Sequence, residues 1–172
     1  LRLRHLRTLA TVHGDKLDDD AAARDAYQRI RALAPADDEA EAAIERLSEQ
    51  LSDWPELLAS LRRRNAAATG ADRRALLARI ATIEEEKLAD LDAAAITVGQ
   101  ILALAPGDAP TLAALARLHE ARGDWDGLAT VLRTQLATEP GAAGGRGALH
   151  LRLGALEEGL DRPAQGLEHY LA

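Results

Sequence analysis

The groups in this chain that could do chemistry fall in a few short stretches. Asp18-Asp19-Asp20, in "KLDDDAAA", place three carboxylates in a row. They lack the loop, central Gly and terminal Glu of a calcium-binding hand. Carboxylates at a helix start cap free amides and complement the helix dipole, so this stretch reads as a solvated cap. Glu84-Glu85-Glu86-Lys87 and Glu157-Glu158 set carboxylates side by side. Adjacent helical residues point in different directions and do not converge on one substrate. The five histidines are His5, His13, His119, His150 and His169. None shows the spacing of a helical zinc motif, and there is no Cys to assist, so no metal is expected. His13 and His119 lie on apolar stripes and are expected to pack between helices. "GAAGGRG" lacks the Lys-Ser/Thr of a phosphate-binding loop and follows no strand. Arg62-Arg63-Arg64 closes a helix, where cations suit the dipole. No convergent catalytic constellation emerges. The chain reads as non-catalytic and without cofactors.

The background composition is that of helices. The chain has 172 residues, 28% charged and only 2% aromatic, with no Phe. It is rich in Ala, Leu, Arg and Glu, the strong helix formers, and too poor in β-branched and aromatic residues for a sheet. The formal net charge of −7 disfavours nucleic acid and anionic membrane. No apolar run reaches the length of a membrane span, and no signal peptide is visible. A cytoplasmic location is the expectation. The chain begins at Leu1, has no Met and stops at "EHYLA", which reads as a segment of a longer repeat protein.

The elements that position these groups repeat. Residues 6–70 align without a gap on 77–141, a shift of 71, and 26 of the 65 pairs are identical. "IRALAPAD" returns as "ILALAPGD", and Asp53-Trp54 returns as Asp124-Trp125. This is internal duplication. Each unit halves again near the Pro of "LAP", and each half holds two segments with apolar residues three and four apart. The pattern predicts ten helices in five pairs: 2–16 and 20–34, 37–51 and 54–67, 72–87 and 91–105, 109–122 and 125–138, 147–159 and 163–172. Pairs span about 1–35, 36–70, 71–106, 107–141 and a truncated 147–172, all within one solenoid over 1–172. Residues 139–147 read as a loop. Pro35, Pro106 and Pro140 follow helices, while Pro55, Pro110 and Pro163 fall in first turns. Asp53, Asp108 and Asp124 are predicted N-caps. Trp54 and Trp125 each open a second helix and are expected to wedge between neighbouring pairs.

The fourth pair resembles a tetratricopeptide repeat. Leu112, Leu115-Ala116 and His119 stand at that motif's first-helix positions, and Leu128, Leu132 and Pro140 at its second-helix and closing positions. Leu6, Leu9-Ala10, His13, Ala23, Tyr27 and Pro35 match in the first pair. Leu77, Ile80-Ala81, Glu84, Ala94, Val98 and Pro106 match in the third, and Leu153-Gly154 in the fifth. Glu45 occupies the small-residue position of the second pair, and the turns of pairs one and three run one residue long. The resemblance implies an all-α right-handed superhelix of about five antiparallel pairs. First helices would line its concave face.

On that face the resemblance aligns Arg46, Arg79, Arg117 and Arg152. Two roles stand open for the row. It can hold the carboxylates of an acidic peptide or partner protein bidentately, or pair with Glu49, Glu86 and Glu120 on a wet surface. The implied function is a protein–protein interaction scaffold or adaptor. A regulatory peptide-recognition module of a larger enzyme or sensor is an alternative, and an RNA-binding repeat protein a weaker one. Bare solenoid ends would favour end-to-end association of the segment.

Overall fold

The computed structural model describes residues 1–138 and 143–172. Among them are ten helices and no strand: α1 (Arg2–Lys16), α2 (Asp20–Leu33), α3 (Asp38–Gln50), α4 (Trp54–Ala67), α5 (Gly70–Glu86), α6 (Leu91–Leu104), α7 (Ala109–Arg122), α8 (Trp125–Thr138), α9 (Ala143–Gly159) and α10 (Pro163–Tyr170). This is an all-α solenoid fold. No helix among the described residues is long and apolar enough to cross a membrane.

The helices start where short polar side chains can satisfy free amides. The Asp19, Asp37, Asp53, Asp90, Asp108 and Asp124 carboxylates each accept from the backbone N–H three residues on, the N-cap geometry. Asp19 is therefore the capping member of the triple-Asp stretch. Pro55, Pro110 and Pro163 lie in first turns, where a missing N–H is harmless.

The turn inside each pair is built the same way five times. A backbone N–H just past the turn donates to a carbonyl near the end of the first helix: Asp19 to His13, Asp53 to Ser48, Asp90 to Glu84, Asp124 to His119 and Arg162 to Glu157, at 2.8–2.9 Å. The bond spans six residues in pairs one and three and five in the others, the extra turn residue seen in the sequence. One residue in each turn has positive φ: Asp18, Ser52, Ala89, Gly123 and Asp161. Only Gly123 takes up that left-handed backbone without steric cost.

The chain divides into two compact units, Leu1–Leu76 and Leu77–Ala172. In the first, α1 packs on α2, α2 on α3 and α3 on α4. Its core is built on Ala23, Ala26, Ile30, Ile44, Leu47, Leu57 and Leu61, none more than 1% exposed. In the second, α6, α7, α8, α9 and α10 pack each on the next, around Ala94, Leu112, Leu115, Leu118, Leu128, Leu132 and Leu153. Within each unit these helices bury their apolar stripes mainly against their neighbours in the chain, as repeat arrays do.

One boundary differs from the sequence pattern. A loop is predicted through Gly147, yet α9 begins at Ala143. Residues 139–142, with Pro140, lie outside the described residues. Gly144, Gly145 and Gly147 are poor helix formers, but Leu149, Leu153 and Leu156 pack against the unit core. Arg146 Nη1 also donates to the Leu136 carbonyl at 2.9 Å. Tertiary packing extends the helix against local propensity.

Candidate functional site

The arginine row divides between the two units. In the first, Arg46 is exposed on α3, and its Nη1 donates to Gln50 Oε1, one turn on, at 3.0 Å. In the second, Arg117 on α7 meets both carboxylate oxygens of Glu85 on α5, with Nη2 2.8 Å from Oε2. Arg152 on α9 donates to Glu120 on α7 at 2.8 Å. Arg79 is half-buried on α5. Hydrogen bonding to Arg117 is the main cause that holds the Glu85 carboxyl below its usual range, against an opposing effect of burial. The pairs join successive first helices rather than residues of one helix, because the 32-residue separation carries each Arg to the preceding pair.

Arg152 also stands in the wall of a cleft of about 320 Å³ between α7, α8 and α9. Leu112 and Leu149 give it apolar lining, and Gln135 and Thr138 supply polar groups. A concave apolar surface with a few placed polar groups is the usual form of a ligand site. Its lining comes from the start of α7, the last turns of α8 and the first half of α9. Neither spacing nor composition signals it.

A second constellation runs through the pairs. The residue whose carbonyl closes the turn of each pair is His13, Ser48, Glu84, His119 or Glu157 in turn, each half-buried or buried. Their partners differ. Glu84 Oε2 accepts from Thr97 Oγ1 at 2.6 Å. His119 Nδ1 lies 2.8 Å from Asp124 Oδ2. Glu157, fully buried, is paired with Arg133, and Arg162 Nη1 lies 3.5 Å from its second oxygen. Glu84 ties α5 to α6 and His119 meets the Asp124 cap of α8, whereas the Arg133 contact ties Glu157 on α9 back to α8. The five residues lie in five different pairs and do not converge.

Glu45 departs from the repeat pattern, and the structure shows how it is accommodated. Glu45 is 4% exposed, and its carboxylate accepts two bonds from Arg64 Nη1, at 2.9 and 2.8 Å. Ser60 Oγ lies 3.1 Å from Glu45 Oε1 and 2.7 Å from Glu41 Oε1. Burial pushes the Glu41 carboxyl up, but Ser60, Arg63 and Arg31 outweigh it and hold it below its ordinary value. The positions 71 residues on are Ala116, Val131 and Gln135, and Ala116 and Val131 are buried in an apolar core. The same three sites are thus polar in one copy of the duplication and largely apolar in the other.

The other singled-out residues are placed as follows. Trp54 opens α4 and is half-buried, whereas Trp125 opens α8 and is 45% exposed. Pro35 and Pro106 are exposed just beyond α2 and α6. Among the described residues no three His, Asp or Glu side chains gather as a metal site.

The family model described as Tetratricopeptide repeat matches residues 111–144, which takes in most of α7, all of α8 and the first residues of α9. No curated protein matches the chain in sequence. Among solved structures, MamA from AMB-1 aligns over 98% of this chain and 88% of its own, at 15% identity and a TM-score of 0.51. A tetratricopeptide repeat protein from Parabacteroides merdae ATCC 43184 aligns over 99% of this chain and 66% of its own, at 14% identity and a TM-score of 0.50. At such identities the likeness is one of fold. With the motif matched in its fourth helix pair and the same all-α architecture around it, this chain is a tetratricopeptide-like helical repeat protein.

Proposed function

We propose that the chain is a non-catalytic protein–protein interaction scaffold that holds a peptide or a segment of a partner protein. The observation that carries this reading is the α7–α8–α9 cleft, with Leu112 and Leu149 in its lining and Arg152 in its wall. Apolar lining would take an aliphatic side chain, and the guanidinium would hold a carboxylate bidentately. Arg46, Arg79, Arg117 and Arg152 are the partner-contacting residues of this proposal, and the partner is acidic. The Glu85 and Glu120 contacts hold Arg117 and Arg152 in place before a partner arrives, which lowers the ordering cost of binding. A partner carboxylate would share or replace these glutamates.

The test is selection of peptides from a displayed random library against the full chain, followed by anisotropy titration of the best binder. Selected peptides should be acidic. Arg79→Glu with Arg117→Glu, and separately Arg152→Glu, should each weaken binding by about tenfold or more, equivalent to about 1.4 kcal/mol. Peptides without acidic enrichment, or affinities unchanged in both variants, would reduce the arginine row to surface ion pairing.

A further inference from the structure

The helices of the fifth pair approach closely at two glycines. A Cβ on Gly166 would lie 3.0 Å from the Gly154 carbonyl oxygen, and one on Gly154 would run into the Tyr170 ring. This approach brings together two histidines that the sequence leaves 19 residues apart. His150 on α9 and His169 on α10 face each other with Nδ1 atoms 3.3 Å apart. Their ring centroids are 5.5 Å apart and the planes are tilted by 49°, so the rings meet through nitrogen rather than by stacking.

The geometry points to a two-histidine site for a divalent transition metal of the zinc class, which would clip α10 onto α9. Zinc–imidazole bonds of about 2.0–2.1 Å at a tetrahedral centre place two ligand nitrogens about 3.3–3.4 Å apart. The Nδ1 atoms already stand at that separation, so binding needs little movement of either helix. Without metal, one Nδ1–H donates to the other Nδ1. With metal, both Nδ1 lone pairs ligate and both protons sit on Nε2, a tautomer change that releases no proton. Neutral imidazole suits Zn²⁺, Cu²⁺ and Ni²⁺. Arg146 and Arg152, on the same helix as His150, bond to the Leu136 carbonyl and to Glu120. Both guanidinium groups are therefore committed away from the pair. No third His, Asp or Glu among the described residues joins the pair, so water completes the coordination. The site is independent of the peptide cleft.

The experiment is calorimetric titration of the tag-free full chain with zinc chloride at about pH 7.5, with cobalt(II) absorption as a second readout. A single ion per chain is expected, and the cobalt(II) visible spectrum should shift from that of the free aqua ion on binding. His150→Ala and His169→Ala should each lower the zinc affinity by about tenfold or more, since each removes one of two protein ligands. His5→Ala and His13→Ala should leave it unchanged. His169→Gln keeps a polar side chain on α10, so it separates loss of the ligand from loss of the helix, which circular dichroism reports directly. No uptake by the parent chain up to about 1 mM zinc, or uptake that survives both substitutions in the pair, would overturn the site and leave a plain imidazole–imidazole hydrogen bond.

Discussion

Arg117 on α7 reaches back across one helix pair to grip Glu85 on α5, with Nη2 2.8 Å from Oε2. Arg152 makes the same reach from α9 to Glu120 on α7. The contacts tie successive first helices together at the surface, and Arg117 is 59% exposed in its side chain. Solvent screening keeps such pairs weak. A double-mutant cycle of Arg117→Ala and Glu85→Gln, followed by urea unfolding, should give a coupling below about 1 kcal/mol.

Acid should weaken the fold in a defined sense. Asp37 is held below its usual range first by the Ala40 N–H and then by Arg7. Asp124 is lowered first by the Gly127 N–H, with His119 and Arg122 adding to it. Glu85 is lowered first by Arg117, and Glu41 by Ser60 and Arg63 against its burial. Carboxylates lowered in the folded state bind fewer protons than in the unfolded chain. Their contribution is complete above the unfolded-state range and lost as pH falls through the folded values. The urea midpoint should hold level above about pH 5 and drop steadily below about pH 4. A midpoint that rises on acidification would contradict this.

The Glu45 cluster should be replaceable by its own apolar counterpart. Glu45→Ala with Ser60→Val reproduces the residues that the duplication carries at 116 and 131. Exchange of a buried charged group for packed apolar residues is often neutral or stabilising by about 1–4 kcal/mol. Arg64→Ala alone should instead destabilise, by about 1–3 kcal/mol, because it strips the buried carboxylate of its two charged bonds. Chemical denaturation of the variants reads the contrast.

Ala89 holds φ at +53° in the turn between α5 and α6, the left-handed backbone that Gly123 adopts in the next pair. Ala89→Gly should therefore raise stability by about 0.5–1 kcal/mol, with the strain of the Cβ removed. A thermal midpoint below that of the parent would count against the turn geometry.

Thr97→Val removes the hydroxyl that donates to buried Glu84 at 2.6 Å and keeps the side-chain shape. A loss of about 1–3 kcal/mol is expected. Gly154→Ala should act at the other end of the second unit. Its Cβ would collide with the Tyr170 ring and break the 3.1 Å bond from Tyr170 Oη to Glu158. Hydrogen exchange along residues 163–170 should then accelerate, with α6–α8 unaffected.

The sequence by itself determined what depends on neighbours along the chain. Asp caps, first-turn prolines and three-four apolar spacing mark nearly every helix start and stop, because capping and amphipathic burial act within one or two turns. The 71-residue repeat then makes one reading of the turns serve for all. α9 is the exception: its glycines look like a loop, and only burial of Leu149, Leu153 and Leu156 against the unit core keeps them helical. The tertiary structure alone decided which polar groups meet. Glu45 finds Arg64, Arg117 finds Glu85 rather than a glutamate of its own helix, and His150 finds His169. Such partners are set by how closely and at what angle two helices cross. That distance depends on small residues such as Gly154 and Gly166 packing against each other, which no spacing rule along a single helix contains.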